Sequence, residues 1–251
     1  MTRVHLLLLF LIAALPAKSQ NQLDEKGLKT GHWKMEYPNG KTLYEATFME
    51  GKPVGEMIRY YENGTVRARM MFDTTLDRSY THLYYENGKS AAEGWYLEKK
   101  KDSVWTYYSQ FDGSVRIREP YEKGLLNGKV SLYYSSGAIS EEVSWENQIK
   151  KGDWTQYYNT GNVRLSGQYI DDQLHGPYKV FYPDGTLKVT GDYIHNKSNG
   201  TWSFYDESGD EVYTLEYLSG QPVDQEKYDQ WVQDSFANYK IIVEPESIQQ
   251  Q

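Results

Sequence analysis

From residue 31 to residue 223 the chain alternates apolar and polar positions in short runs, and the runs themselves recur. Each reads roughly G-x-W-x-x-Y-Y-x-N-G, then a second alternating stretch that closes on an aromatic residue and a polar turn. The turn glycines stand at Gly40, Gly64, Gly88, Gly113, Gly137, Gly161, Gly185 and Gly209, every interval 24 residues except one of 25. Alternation of period two marks half-buried strands, and a fixed longer period marks a repeat architecture. The pattern predicts eight units opening at Gly31, Gly55, Ser79, Ser103, Gly128, Gly152, Gly176 and Gly200. The expected fold is all-β: an elongated array of eight 24-residue antiparallel β-hairpins joined into one continuous twisted sheet, with a short C-terminal capping helix. Propeller blades need about 40–45 residues, so this period is too short for that alternative. Two strands per unit at about 4.8 Å give an array roughly 75 Å long.

Asn39-Gly40, Asn63-Gly64, Asn87-Gly88 and Asp184-Gly185 read as two-residue type I′ turns, with φ positive at both residues. In the fourth unit one extra residue between Tyr108 and Gly113 accounts for the single longer interval. With the turn fixed, Tyr61 should face Val66, Tyr60 face Arg67 and Met57 face Met70. In the sixth unit Tyr158 should face Val163, Tyr157 face Arg164 and Trp154 face Gly167. A one-residue slip would exchange the faces of every side chain. The expected core face collects Trp33, Trp105, Trp154, Tyr178 and Trp202, the tyrosines Tyr37, Tyr61, Tyr85, Tyr134, Tyr158 and Tyr182, and Val66, Val115, Ile139, Val163 and Leu187. The closing aromatics Phe48, Phe72, Tyr96, Tyr121, Trp145, Tyr169, Tyr193 and Tyr217 join them. Gly94, Gly167 and Gly191 are expected opposite Thr81, Trp154 and Tyr178, with the latter two rings lying over bare backbone. Between units, Thr75, Lys99, Gln148, Asp172 and Asn196 stand where Gly51, Gly124 and Gly220 do, which leaves the tight turn there without its glycine.

Outside the repeats, residues 1–19 read as a signal peptide: Arg3, an apolar run from Leu6 to Leu15, and Ala17-Lys18-Ser19 as a cleavage site. Residues 20–30 form a leader and 31–223 the repeats. Residues 224–251 form a cap and loose tail, in which Tyr228, Trp231, Val232, Ser235, Phe236 and Tyr239 follow helical spacing after Asp224 as N-cap, and Ile241 to Val243 could add a strand. Export to the periplasm or outside the cell, with envelope association, is the localisation this predicts. No transmembrane segment is expected, since the apolar run is far short of about 20 residues.

The chain has 251 residues, no cysteine, 24 tyrosines and a net charge of −8. The absence of cysteine excludes disulfides and thiolate metal sites. An acidic balance argues against nucleic acid, whose phosphates require a basic field. Outside the signal peptide the histidines His32, His82, His175 and His195 fall at different phases of the repeat, although His175 and His195 are near enough in neighbouring turns to approach each other. No nucleophile elbow, P-loop or metalloprotease spacing occurs. No catalytic residue, metal or cofactor is expected, and an envelope glycan hydrolase is only a distant alternative.

The face opposite the core is expected to carry Tyr60, Tyr84, Tyr108, Tyr133, Tyr157 and Phe181 beside Arg67, Arg69, Arg116, Arg118, Arg164 and Lys188. One reading has each cation stacked on its neighbouring ring without a ligand. The other makes this Tyr/Arg stripe a binding surface for a protein or extended envelope ligand: an acidic peptide, a glycan or an anionic headgroup.

The pattern carried best by Gly55–Gly64, Gly152–Gly161 and Gly176–Gly185 resembles the MORN repeat in its bacterial variant form, that of the YwqK-like antitoxin proteins. The resemblance covers residues 31–223. It implies a scaffold or binding platform for partner proteins or lipid headgroups, and, as an alternative, an immunity or antitoxin protein that neutralises a toxin outside the cytoplasm.

Overall fold

The computed structural model describes residues 20–73 and 77–237. They form one open antiparallel sheet of 20 strands, followed by a single helix, Gln225–Ala237. The strands meander, each main strand pairing with its neighbours in sequence. Sixteen strands belong to the eight hairpins. The other four are two-residue pieces: Gln22–Leu23 in the leader, Leu125–Leu126 and Gln173–Leu174 ahead of units five and seven, and Gln221–Pro222 after unit eight. This is the architecture expected from the 24-residue period. In unit four the six-residue loop closes with Ser109 N–H donating to the Ser114 carbonyl at 2.8 Å, and the strands beyond it keep the common register.

The two kinds of turn have exchanged roles relative to the expectation. At the Asn-Gly turns only the glycine has positive φ, as at Gly64 with 94°. The Gly64 N–H donates to the Tyr61 carbonyl at 2.9 Å and the Tyr61 N–H donates to the Thr65 carbonyl at 2.8 Å. This is a three-residue loop, a type I turn followed by a left-handed glycine, and not type I′. Asn63 stays out of the left-handed region because its Oδ1 accepts the Thr65 N–H at 2.8 Å, an Asx turn. Asn39, Asn87 and Asp184 bond in the same way. The type I′ geometry lies between units, where φ is positive at both central residues of Glu50-Gly51, Glu98-Lys99, Lys123-Gly124, Asn147-Gln148, Asp171-Asp172, His195-Asn196 and Ser219-Gly220. Lys99, Gln148, Asp172 and Asn196 therefore form the tight turn without glycine; Thr75 lies outside the described residues.

The three-residue loop shifts the pairing. Tyr61 bonds with Thr65, so Tyr60 faces Val66 and Arg59 faces Ala68, leaving Arg67 unopposed as a β-bulge. In unit six Tyr157 faces Val163 and Gln156 faces Leu165, with Arg164 bulged. The expected pairs Tyr61–Val66, Tyr60–Arg67, Tyr158–Val163 and Tyr157–Arg164 do not form. Below the bulge the register returns to the expected one, with Met57 opposite Met70 and Trp154 opposite Gly167. Val66, Val115, Ile139, Val163 and Leu187 consequently pair with Tyr60, Tyr108, Tyr133, Tyr157 and Phe181, on the face away from the tryptophans. The bulge restores the lower half of each returning strand to the core face.

The tryptophan face holds the core, which is continuous from Val143 through Trp154, Tyr169, Tyr178, Tyr193 and Trp202 to Trp231. Gly94, Gly167 and Gly191 sit opposite Thr81, Trp154 and Tyr178 as expected. Over two of the three, however, the ring comes from the following unit. A Cβ built on Gly191 would stand 2.3 Å from the Trp202 ring, and one on Gly94 2.5 Å from Trp105. At Gly167 both Trp154 and Tyr178 come within 3.5 Å. Helix 225–237 covers the last unit: Asp224 Oδ1 caps the Lys227 N–H at 3.0 Å, and Trp231 packs on Phe204 with ring centroids 4.9 Å apart. Tyr239 and Ile241 to Val243 lie outside the described residues.

A ladder of phenols joins successive units. In six units the tyrosine three residues ahead of the turn glycine donates to a backbone carbonyl of the next unit: Tyr37 to Tyr60, Tyr61 to Tyr84, Tyr85 to Tyr108, Tyr134 to Tyr157, Tyr158 to Phe181 and Tyr182 to Tyr205, all at 2.7–2.9 Å. Unit four, with its longer loop, has Ser109 in the equivalent position, so its rung is missing.

Candidate functional site

The bulges sort the expected stripe onto two faces. A residue that opposes nothing in the ladder leaves the alternation, and Arg67, Arg116, Arg164 and Lys188 occupy that position in units two, four, six and seven. Their side chains lie on the tryptophan face. Arg67 Cζ is 5.7 Å from the Tyr61 ring centroid and Lys188 Nζ 5.1 Å from that of Tyr182. Arg116 lines a hollow with Tyr85 and Tyr107, and Arg164 lines a groove with Trp154, Tyr158 and Tyr178.

Arg69 and Arg118 stay on the opposite face with Tyr60, Tyr84, Tyr108, Tyr133, Tyr157 and Phe181. There they fall in one cross-strand row with Glu45, Glu93 and Glu142, so that the signs alternate from unit to unit. The tyrosines close the gaps between them: Tyr108 Oη donates to Glu93 Oε1 at 2.5 Å, Tyr157 Oη to Glu142 Oε2 at 3.0 Å, and Arg118 Nη1 to Tyr133 Oη at 3.5 Å. Arg69 also pairs with Glu56 at 2.8 Å. The Tyr108 phenol, with smaller contributions from Tyr80 and His82, holds the Glu93 carboxyl below its ordinary range against the opposing effect of burial. This face neutralises itself.

The tryptophan face does not. Among the described residues two carboxylates stand in its strand columns, and each is engaged by a neutral donor: Glu119 Oε2 by Tyr121 Oη at 2.7 Å, and Glu141 Oε1 by Trp154 Nε1 at 2.6 Å. Arg67, Arg116, Arg164 and Lys188 make no ion pair among the described residues. A second basic column lies two residues ahead of the residue that opens a unit. Lys101 Nζ sits 4.8–5.1 Å from the ring centroids of Trp105, Tyr107 and Tyr121, Lys29 Nζ 4.6–5.3 Å from those of Trp33, Tyr44 and Phe48, and Lys150 Nζ 5.1 Å from that of Tyr169. Sequence reasoning missed these lysines, although their common phase within the repeat was a readable signal.

Besides the hollow at Arg116, two grooves open on this face among the described residues. The larger, about 1030 Å³, runs past Lys52, Met70, Phe72, Arg78, Tyr96 and Lys99, with Asp73 and Asp77 on its rim. Its charge is mixed, and Arg78 is already placed 4.0 Å from Asp73 and 4.1 Å from the Trp95 ring centroid. The smaller, about 570 Å³, is bounded by Arg164, Lys188 and Lys150 above Trp154, Tyr169 and Tyr178. Burial first, and then the charge of Arg164, push the Lys188 ammonium below its ordinary pKa, with Glu207 opposing weakly. Like charges are held together there over an aromatic floor. His175 and His195 do approach, with ring centroids 5.3 Å apart, and His195 Nδ1 lies 2.7 Å from Gln173 Oε1.

Four segments, residues 29–49, 53–73, 150–171 and 174–195, match the family model of the MORN repeat variant. No curated protein sequence matches the chain. The matched segments are units one, two, six and seven, and the shared spacing, turns and pairing extend through the other four. The chain is thus an all-β repeat protein that carries MORN repeat variants in four of its eight units.

Proposed function

We propose that this is an exported, non-catalytic repeat protein whose tryptophan face captures a protein partner or an extended envelope ligand. The observation that carries the reading is the bulged basic column: Arg67, Arg116, Arg164 and Lys188 make no ion pair among the described residues and stand on one face, in a chain of net charge −8. Uncompensated arginines beside rings suit interface hot spots. MORN repeats, matched here in four units, belong to repeat proteins that bind proteins or membranes. Neutralising a toxin outside the cytoplasm would be one form of such capture. The non-catalytic reading follows from the repetition, which sets like residues in rows where a reaction needs unlike groups to converge. Export rests on the charged, apolar and small-residue sequence of residues 1–19, outside the described residues, and predicts a mature N-terminus at Gln20. No helix among the described residues is long and apolar enough to cross a membrane.

The test is a pull-down from envelope extract with the Arg67→Ala/Arg116→Ala/Arg164→Ala variant. Capture should be lost while the melting temperature stays near that of the parent. Undiminished capture would remove the reading.

A further inference from the structure

The groove between Arg164 and Lys188 has a period as well as a charge. The two residues occupy the same bulge position in consecutive units, two strands apart, and therefore about 9.6 Å apart along the array at the ordinary strand spacing. A ligand backbone that repeats at the same distance can present one anion to each of the two bulge positions. An extended β-strand fails, because residues three apart point to opposite sides. A polyproline II helix succeeds: three residues complete a turn of about 9.3 Å, so every third side chain falls on one line. Aromatic-lined grooves are also the usual seats of such helices.

We infer that the groove spanning units six and seven binds an acidic, proline-rich segment of a protein partner, with carboxylates three residues apart meeting Arg164 and Lys188. This rests on the platform reading and names its ligand. Trp154, Tyr169 and Tyr178, each less than a tenth exposed, form the floor of the groove, and the spacing of the two cations, not the rings, favours a peptide over a glycan. Glu141 also lines the groove, its Oε1 accepting the Trp154 indole N–H at 2.6 Å, and it makes no ion pair with Arg164 or Lys188 among the described residues.

The probe is a synthetic peptide of four Glu-Pro-Leu repeats, titrated against the full chain by calorimetry at low salt. A scrambled peptide of the same composition with its glutamates adjacent is the control. We expect the periodic peptide to bind at least fivefold more tightly than the scrambled one. The Arg164→Ala/Lys188→Ala variant should lose at least tenfold in affinity, while Arg69→Ala/Arg118→Ala, on the opposite face, stays within twofold. Equal binding of the two peptides, or undiminished binding by the Arg164/Lys188 variant, would overturn the assignment. So would preferential binding of a polyuronate or of phosphatidylserine vesicles that depends on the same two residues. Loss of envelope capture in the Arg67/Arg116/Arg164 variant without any peptide binding would sink the peptide ligand and leave the platform standing.

Discussion

Asn196 bonds Leu174 twice: its backbone N–H donates to the Leu174 carbonyl at 3.0 Å, and its side-chain Oδ1 accepts the Leu174 N–H at 2.6 Å. Asp172 does the same with Lys150, and Gln148 with Leu126. The glycine turns make only the backbone half, as Gly51 does with Lys29. These side chains offset the cost of left-handed backbone by tying each tight turn to the unit before it. Lys99, with φ of 65°, makes no such bond among the described residues. Lys99→Gly should therefore stabilise the protein by about 1 kcal/mol, the usual cost of a left-handed non-glycine residue. Asn196→Gly should destabilise it, the two bonds outweighing the relief. Chemical denaturation of both variants checks the opposite signs.

Gly191→Ala should cost several kcal/mol, about 3 kcal/mol by analogy with overpacked cores. The strain is purely steric, because Gly191 is not in the left-handed region and the added methyl would enter the Trp202 ring. Truncating Trp202 to leucine in the same chain should recover part of the loss, which a double-mutant cycle in urea would measure.

Removing one phenol rung isolates the coupling between units. Tyr61→Phe leaves the Tyr84 carbonyl short of its 2.7 Å donor and should cost about 1 kcal/mol, typical of one partly buried hydrogen bond. A melting temperature unchanged from the parent would show that the ladder is incidental to stability.

The pH response should be two-sided. Burial, aided by Glu93, pushes the Tyr80 and Tyr108 phenols up to about 12, and burial does the same for Tyr169. A phenol whose folded pKa is raised contributes stability that is complete below its unfolded value near 10 and is lost as pH rises towards 12. On the acid side Glu93 is lowered, so its contribution is present above the unfolded value and disappears as pH falls through the folded one. Stability measured from pH 3 to 12 should fall at both ends, and Glu93→Gln should flatten the acid limb.

The period, the number of units, the helix and the tryptophan face were legible in the sequence because each depends on residue types recurring at a fixed distance. The face assignment of Arg67, Arg116, Arg164 and Lys188 was not. Asn63 can enter a type I′ turn or accept the Thr65 N–H as an Asx turn, and nothing local in Asn-Gly decides between them. That choice moves the pairing by one residue at the top of the hairpin and sends Val66 to one face and Arg67 to the other. The alternating row of Glu45, Arg69, Glu93, Arg118 and Glu142 was equally hidden, since it becomes a row only once the bulges are placed.

The missing rung at Ser109 divides the array mechanically. Under tension applied at its two ends, hairpins one to four and five to eight each hold together through shared phenol bonds, while the junction between them lacks one. Rupture should begin at that seam, and the released halves would differ in toughness, the C-terminal one retaining both the larger core and its helical lid.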